Sequence, residues 1–274
     1  MVCACQQTRA KTFPKPTAIS PRWINLSGDM GLTVHFKLTA SAGVSAMQAK
    51  KLVVSLHRVA MRFQEAGQVD KVHPVTADAK TLQQVACNWL ILPVPGEENT
   101  STGAEVVPLA GFVFCVEAGA GCEPLWLGLC QYPRTVIFQG RELPTRMGAG
   151  WRLAGFTKTQ YASLHGWEHF RRCHCAMVNV LAAGRSPGLR VMISDEGKFW
   201  PRRSLAGLRE NLDHMNGLVA AVAGVLKDED GLVGGDNGVQ APIFAHKNFE
   251  RLEAEGALRS ATALETLRAV MRKL

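Results

Sequence analysis

The chain has 274 residues, of which 47% are hydrophobic and 20% are charged, and its formal net charge is +8. This composition excludes a disordered chain, because an average apolar fraction at this length is enough to bury a substantial core. The longest apolar stretch, near Leu218–Leu226, is far below the ~20 residues that a membrane span needs. The N-terminal residues also lack the apolar stretch of a signal peptide. We therefore expect a cytoplasmic protein with no membrane partner and with its eight cysteines reduced.

Charge is unevenly distributed along the chain. Residues 78–130 contain six carboxylates and one lysine, a net charge of −5, whereas residues 134–172 contain seven cations and two carboxylates, a net charge of +5. A basic stretch of this kind is compatible with an anionic substrate or a nucleic acid as the partner. The alternative is a solvated basic surface, which the lack of a Lys/Arg run of five or more favours.

Residues 1–29 differ from the rest of the chain. They contain three prolines, carry a net charge of +3, and show no helical or strand period. The apolar segment Met30–Phe36 that follows is typical of a first strand. We expect residues 1–29 to be a flexible tail or a mis-called start, and residues 30–274 to form a single α+β domain.

A first β-α-β unit begins at that strand. Ser45 and Gln48 form a capping-box pattern that predicts a helix start, and Gly67 predicts the helix end. Val69–Val75 is predicted to be the second strand. The apolar stripe that faces the sheet is expected to contain Leu52, Leu56, Val59 and Phe63.

The middle of the chain is predicted to be an antiparallel, β-rich section. Its loops are expected at Pro95–Gly103 and Gly119–Pro124, where glycine and proline oppose regular structure. The strands are expected at Asn88–Val94, Val106–Glu117, Thr135–Phe138 and Trp151–Thr159.

A second β-α-β unit consists of strand Leu153–Thr159, a helix from Trp167 to Ala183, and strand Leu189–Ser194. Its helix resembles the first one in apolar pattern when Gly184 is aligned with Gly67. We interpret the two units as ferredoxin-like β-α-β elements from an internal duplication, with halves at about 30–118 and 151–230. Two such units also arise by chance.

The last third of the chain is predicted to be helical. A heptad-like seam runs through one long helix, and its small residues should let another element approach closely. A loop is expected at Gly231–Gly238, and further helices at Phe244–Ala254 and Leu258–Lys273. The seam contains Leu205, Leu208, Leu212, Met215, Val219, Val222 and Leu226.

Two adjacent carboxylates, Asp195 and Glu196, stand where an apolar strand ends and Gly197 turns the chain. Strand ends are where α/β proteins tend to place ligand-binding groups, so the pair is a candidate catalytic or metal site. Glu196-Gly197-Lys198 resembles the acid-x-Lys element of the restriction-endonuclease-like nucleases. That resemblance implies a carboxylate that holds Mg²⁺ and a lysine, Lys198, that assists the attacking water. The sequence lacks that family's upstream Pro-Asp pair, and the alternative is a structural Asp-Glu-Gly turn.

Further candidates surround this pair. Arg202 and Arg203 are expected to bind an anionic substrate, and Glu123 is a further candidate catalytic carboxylate. His165 and His169 are four residues apart, a spacing used for zinc, and are the candidate metal ligands. His174 lies on the apolar side of its helix and is predicted to be a hydrogen-bonded core histidine.

Two classes of function remain. The first is a hydrolytic or phosphoester-processing enzyme, in which Asp195 and Glu196 bind a divalent metal or act as acid and base. The alternative is a non-catalytic binding module for an anionic or protein partner. The sequence contains no Rossmann, P-loop or nucleophile-elbow fingerprint, so no substrate is selected.

Overall fold

The computed structural model describes residues 11–12, 32–93, 101–228, 243 and 248–259. The helices are α1 (Ala46–Glu65), α2 (Ala79–Ala86), a 3₁₀ helix (Gln160–His165), α3 (Trp167–Ala183), α4 (Leu205–Asp228) and α5 (Phe249–Arg259). The strands are β1 (Lys11–Thr12), β2 (Thr33–Ala40), β3 (Lys71–Val72), β4 (Asn88–Pro93), β5 (Ser101–Val106), β6 (Ala110–Glu117), β7 (Leu125–Gln131), β8 (Thr135–Phe138), β9 (Arg141–Pro144), β10 (Trp151–Lys158) and β11 (Leu189–Asp195). None of the described helices combines the length and apolar character required to cross a bilayer.

A six-stranded antiparallel sheet organises the molecule. Its strand order is β11-β2-β10-β7-β6-β3. Strands β10 and β11 both pair antiparallel with β2, so they run parallel to each other, and α3 connects them. The predicted mixed α/β architecture is therefore confirmed. In the sheet, β2 lies between β10 and β11, the two strands of the second predicted β-α-β unit.

Helix α1 begins and ends as the sequence predicts. The Ser45 side chain accepts the Gln48 N–H, the Gln48 side chain accepts the Ser45 N–H, and Gly67 adopts a φ of +65°. The predicted apolar stripe is wrong in detail, because only Leu56 among its four residues is buried. The helix packs closest to the sheet through small residues, so larger side chains such as Leu52 lie at the margin of the contact. The buried residues are Ala49, Val53, Leu56 and Ala60.

Helices α1 and α3 cover the same face of the sheet and share one core with it. Leu38, Leu153 and Val191 contribute the inward side chains of three neighbouring strands to this core. Gly184, at the end of α3, has no side chain because a Cβ there would lie 2.3 Å from the Leu56 Cδ1. The two helices can therefore pack closely where they meet.

The opposite face is covered only in part, by helix α2. Leu82 lies over β6 at Gly111, where a Cβ would be 2.7 Å from the Leu82 Cδ2. The end of α2 is held by the Tyr132 hydroxyl, which donates to the Ala86 carbonyl at 2.7 Å. Beyond this helix, the outward side chains of β10, β2 and β11 remain exposed.

Several predictions for the middle section need correction. The regular second strand is only Lys71–Val72, and the chain then follows the edge of β6 irregularly, with single contacts at His73 and Thr76, before it enters α2. Helix α2, capped by Asp78, was not predicted from the sequence. Strand β5 begins at Ser101, inside the predicted loop, because it pairs along its length with β4. Strand β7 was also missed. The predicted strand Thr135–Phe138 and the loop between β6 and β7 are confirmed.

The predicted seam of α4 is correct in its first half only. Leu208 and Leu212 are buried in the main core, but Leu205 is exposed. From Asn216 onwards the buried face is formed by small residues, because α5 crosses α4 where Gly217 meets Gly256. Close approach by another element is thus confirmed.

Other predictions fall on residues that are not described. The loop Gly231–Gly238 and nearly all of the helix Leu258–Lys273 lie outside the described residues. The helix predicted at Phe244–Ala254 is described as Phe249–Arg259. Within residues 1–29 only β1 is described, and it pairs with Thr102 and Gly103 of β5. The tail and single-domain assignments stay predictions.

We expect Leu212→Ala to lower the free energy of unfolding by about 2–5 kcal/mol, because truncating a buried leucine leaves a cavity. Leu212 is 3% exposed. Arg209→Ala, on the exposed side of α4, should cost about 1 kcal/mol or less, from its ion pair and its contact with the Trp167 ring. Urea denaturation measures both changes, and equal losses would contradict the helix face assigned here.

Candidate functional site

The end of β11 sends its two carboxylates to opposite sides of the sheet. Side chains alternate along a strand, so Asp195 shares the core-facing side with Leu189 and Val191. Glu196 continues the strand by donating its N–H to the Thr33 carbonyl, and its side chain lies on the open side. Among the described contacts, the two carboxylates share no partner.

Asp195 is fully buried beside His174 of helix α3. The His174 Nε2 lies 3.1 Å from the Asp195 Oδ1, and neither side chain is exposed. The His174 Nε2 has no aligned hydrogen-bond partner in the part of the chain that the structure describes, so this contact is an ion-pair contact. The His174 Nδ1 is 2.7 Å from the hydroxyl oxygen of Thr159, which in turn donates to the Leu32 carbonyl. The prediction of a hydrogen-bonded core histidine is confirmed.

Asp195 also fixes the loop that follows it. Its Oδ1 accepts the Gly197 N–H and its Oδ2 accepts the Trp200 N–H, both at 2.8 Å. A Cβ at position 197 would lie 2.8 Å from the His174 ring, so the turn requires glycine. Residues 196–204, which we call the β11–α4 loop, are therefore shaped by one buried carboxylate.

The environment of Asp195 acts on its pKa in two opposite directions. Burial alone would raise this pKa, since removal from water disfavours the charged form. The contact with His174 and the N–H groups of Trp200 and Gly197 outweigh burial and lower the pKa below its ordinary value. Asp195 is therefore a charged group whose acceptor oxygens are already engaged by protein donors.

Glu196 and Glu123 lie near the same pair of strands. The Glu196 Oε2 accepts the Thr33 N–H at 2.9 Å, and its Oε1 is 3.2 Å from the His35 Nε2. The Glu123 Oε2 accepts the Lys158 N–H at 3.1 Å. Because Thr33 and Lys158 are paired across β2 and β10, the two carboxylates flank one point of the sheet.

The three predicted cations have different environments. Lys198 and Arg202 line an open cleft of about 810 Å³ between the β11–α4 loop and helix α4. The Arg203 guanidinium instead bonds to the Asn179 side chain and lies over the Phe199 and Trp200 rings, 4.8 Å from the latter centroid. Arg203 thus has structural contacts, whereas Lys198 and Arg202 face solvent.

His165 and His169 are close neighbours. Their ring centroids are 5.1 Å apart in an edge-to-face arrangement, with Gly166 separating the 3₁₀ helix from α3. The His169 Nε2 donates to the Ala120 carbonyl at 2.8 Å, which occupies that nitrogen. Their role as metal ligands stays a prediction. Within the described residues, one His/Cys/Glu group could hold a metal ion, and it lies elsewhere, at His73, Cys115 and Glu117.

The exposed side of the sheet, which we call the open face, was not predicted from the sequence. Three strands contribute three cross-strand rows, and these nine positions contain no carboxylate. The alternation of polar residues in β2, at His35, Lys37 and Thr39, was the signal that could have revealed it. The rows are His35, Phe156 and Ser194; Lys37, Ala154 and Met192; and Thr39, Arg152 and Arg190.

Replacing Asp195 tests whether its carboxylate is structural. Asp195→Asn should lower the free energy of unfolding by about 1–3 kcal/mol, because one acceptor oxygen is replaced by a donor in a buried site. Thermal unfolding at neutral pH measures the change. Asp213→Asn is the matched control, because Asp213 is 54% exposed on α4. A Tm that is unchanged or raised in Asp195→Asn would indicate a carboxylate retained for function.

Wild type and Asp195→Asn should also differ in how their free energy of unfolding depends on pH. Since the folded-state pKa of Asp195 is lowered, its carboxylate stabilises the fold above the unfolded-state pKa of about 3.9. That stability is lost as the pH falls through the lower, folded-state pKa. The gap in unfolding free energy between wild type and Asp195→Asn should therefore be widest near neutral pH and narrow towards pH ~3.

Comparisons of the chain with protein-family models, with curated proteins and with solved structures found no match.

Proposed function

We propose that this chain is a non-catalytic binding module that takes up single-stranded nucleic acid on its open face. The observation that carries the proposal is the composition of the nine outward positions. They combine two exposed rings with three cations and contain no carboxylate. Single-stranded nucleic acids are bound where bases stack on rings and cations contact phosphates.

The two rings supply a stacking surface. Phe156 is 54% exposed, the His35 side chain is 48% exposed, and their centroids are 6.0 Å apart. Stacking of a base on such a ring contributes about 1–3 kcal/mol and tolerates any base. Met192, half exposed in the next row, extends the apolar area. The open face can therefore hold bases without sequence-specific contacts.

The three cations lie in the two rows next to these rings, on one side of them. Lys37, Arg152 and Arg190 each come from a different strand of the face. With strands about 4.8 Å apart and alternate residues about 7 Å apart, the nine positions cover roughly 10 Å by 13 Å. Two or three nucleotides fit this area, which is the number that comparable sheets bind.

The two ends of the open face differ in charge. Glu196 and Glu123 lie at the end near His35, where they would repel phosphates. Arg152 and Arg190 occupy the other end. Beside Phe156, a cleft of about 670 Å³ is lined by Trp126 and Val85 among other residues, which provides room for a base at the side of the sheet.

The hydrolytic or phosphoester-processing enzyme remains the second candidate. The contact between Glu196 and His35 supports it, since a partly exposed carboxylate and imidazole suit acid–base work. Asp195 offers less support because it is buried and its oxygens are engaged. A phosphodiester assay of wild type and Glu196→Gln, with added Mg²⁺ or Mn²⁺, tests this candidate, and it fails if wild type has no activity.

The ferredoxin-like description of the fold is likewise a proposal. The β-α-β unit of β10, α3 and β11 supports it, as does the helix that follows β2. The duplication has weaker support. Aligning Gly184 with Gly67 superimposes His174 on His57, and these two histidines have different environments. His57 contacts the His73 carbonyl and the edge of Phe114, whereas His174 is paired with Asp195 in the core.

We expect Phe156→Ala to weaken binding of a fluorescein-labelled oligouridylate by about 5- to 150-fold, the equivalent of losing one stacked base. Phe156→Tyr keeps a ring and should restore binding. Fluorescence anisotropy measures the affinity. Ile137→Ala, which removes a similarly exposed apolar side chain from β8, is the matched control and should bind like wild type.

Salt dependence tests the cations separately. Each phosphate contact on a single strand should contribute about −0.7 to the slope of log K against log salt. Lys37→Gln should reduce that slope by about this amount, whereas Lys51→Gln, on the exposed side of α1, should leave it unchanged. Equal losses in both variants, or no oligonucleotide binding by wild type at low salt, would refute the proposal.

A further inference from the structure

We propose a transition-metal site, suited to Zn²⁺, formed by His73, Cys115 and Glu117 at the β3–β6 edge of the sheet. The site is independent of the open face and of the predicted pair His165 and His169. The ligand atoms of its three residues all lie within 4.8 Å of one another.

The strand pairing explains why these side chains meet. Lys71 and Val72 of β3 pair with Glu117 and Val116 of β6, and the His73 N–H continues the ladder by donating to the Cys115 carbonyl at 2.9 Å. Cys115 and Glu117 are two residues apart on β6, so they face the same side. Residues distant in sequence are thereby placed around one point.

The geometry is close to what a zinc ion requires. Zn²⁺ binds sulfur at about 2.3 Å and nitrogen or oxygen at about 2.0–2.2 Å, so tetrahedral ligand atoms lie roughly 3.5 Å apart. The His73 Nε2 is 2.6 Å from the Glu117 Oε1. The other pairs lie within 4.8 Å, and the buried Cys115 thiol is the fixed ligand towards which the partly exposed His73 and exposed Glu117 side chains would turn.

The donor set selects the kind of metal. A thiolate, an imidazole and a carboxylate together suit Zn²⁺ and Co²⁺, whereas Mg²⁺ and Ca²⁺ prefer oxygen ligands alone. The His73 and Glu117 side chains are 34% and 46% exposed, so an ion can enter from solvent and keep a water as its fourth ligand. Three protein ligands with one open position are typical of zinc sites that bind a further molecule.

Helix α1 holds the strand that carries His73. The Gln64 side chain accepts the Val72 N–H, and the His57 Nε2 donates to the His73 carbonyl at 3.0 Å. These contacts fix the backbone on both sides of the histidine before any ion is bound. Preorganised ligands of this kind raise metal affinity.

A Co²⁺ titration of the full chain, purified metal-free, tests the site. Wild type is expected to bind one Co²⁺ per chain with the near-ultraviolet charge-transfer band of a thiolate ligand, and Zn²⁺ should displace it. Cys115→Ser should lose the band. His73→Gln and Glu117→Gln should each weaken Zn²⁺ binding at least about tenfold. A wild type without the band, or a Cys115→Ser protein that keeps it, would overturn the proposal.

Two other thiols serve as controls. Cys130→Ser removes a buried thiol from the neighbouring strand β7 and should keep the band. Cys173→Ser removes the thiol 3.6 Å from the His169 Nε2 and should also keep it. Loss of the band in Cys173→Ser, with retention in Cys115→Ser, would place the metal at α3 and refute this site.

Thermal unfolding gives a second measurement that does not need Cys115→Ser to fold. Zn²⁺ should raise the Tm of wild type by mass action and raise that of His73→Gln by clearly less at the same Zn²⁺ concentration. His73 is a partly exposed residue, so its glutamine variant is expected to fold. An equal Zn²⁺ effect on both proteins would contradict the proposal.

Discussion

The buried contact between His174 and Asp195 connects four parts of the structure. His174 belongs to α3, Asp195 ends β11, and Thr159 follows β10 and reaches the Leu32 carbonyl at the start of β2. Burying a carboxylate is unfavourable unless it is paired and hydrogen-bonded, and here His174 contacts it and two loop N–H groups donate to it. Removing one partner would leave the other charge or polar atom buried alone. The β11–α4 loop therefore depends on this contact for its shape.

This constraint also decides what the adjacent carboxylates can do. Asp195 is committed to the interior, so a two-carboxylate metal site with Glu196 has no geometric support among the described contacts. Glu196 lies on the opposite side, at the border of the open face beside His35. On the open face, the exposed rings are His35 and Phe156 and the exposed cations are Lys37 and Arg190. These residues support the proposed binding surface, which does not require a catalytic dyad at this strand end.

Local patterns in the sequence were sufficient for the elements whose structure is set locally. The capping box at Ser45 and the boundaries of α3 follow from side-chain hydrogen bonding and glycine placement, and both were predictable. Helix α2 and strand β7 were missed because short elements carry too few periods to be recognised. The second half of α4 was misassigned because its buried face is set by contact with α5, which no heptad pattern encodes.

The candidate sites can also be divided into features that local sequence predicts and features that depend on strand pairing. The burial of His174 was predictable from its apolar neighbours on α3, and strand alternation alone places Asp195 and Glu196 on opposite sides. In contrast, the grouping of His73, Cys115 and Glu117 depends on pairing of β3 with β6, two strands far apart in the chain. The open face likewise requires the order β11-β2-β10, which sequence periodicity does not specify.

The strand order of the sheet shows where the acidic and basic stretches of the sequence lie in the fold. Among the described side chains, no ion pair joins the acidic stretch 78–130 to the basic stretch 134–172; Arg172 pairs instead with Asp70. The Glu123 carboxylate meets the basic stretch through a backbone group, because it accepts the Lys158 N–H. Strand β10 belongs to the basic stretch and lies at the centre of the sheet, between β2 and β7. Its Arg152 is partly buried and donates to the Ala149 carbonyl, so Lys37 and Arg190 are the cations of the open face that are exposed to solvent.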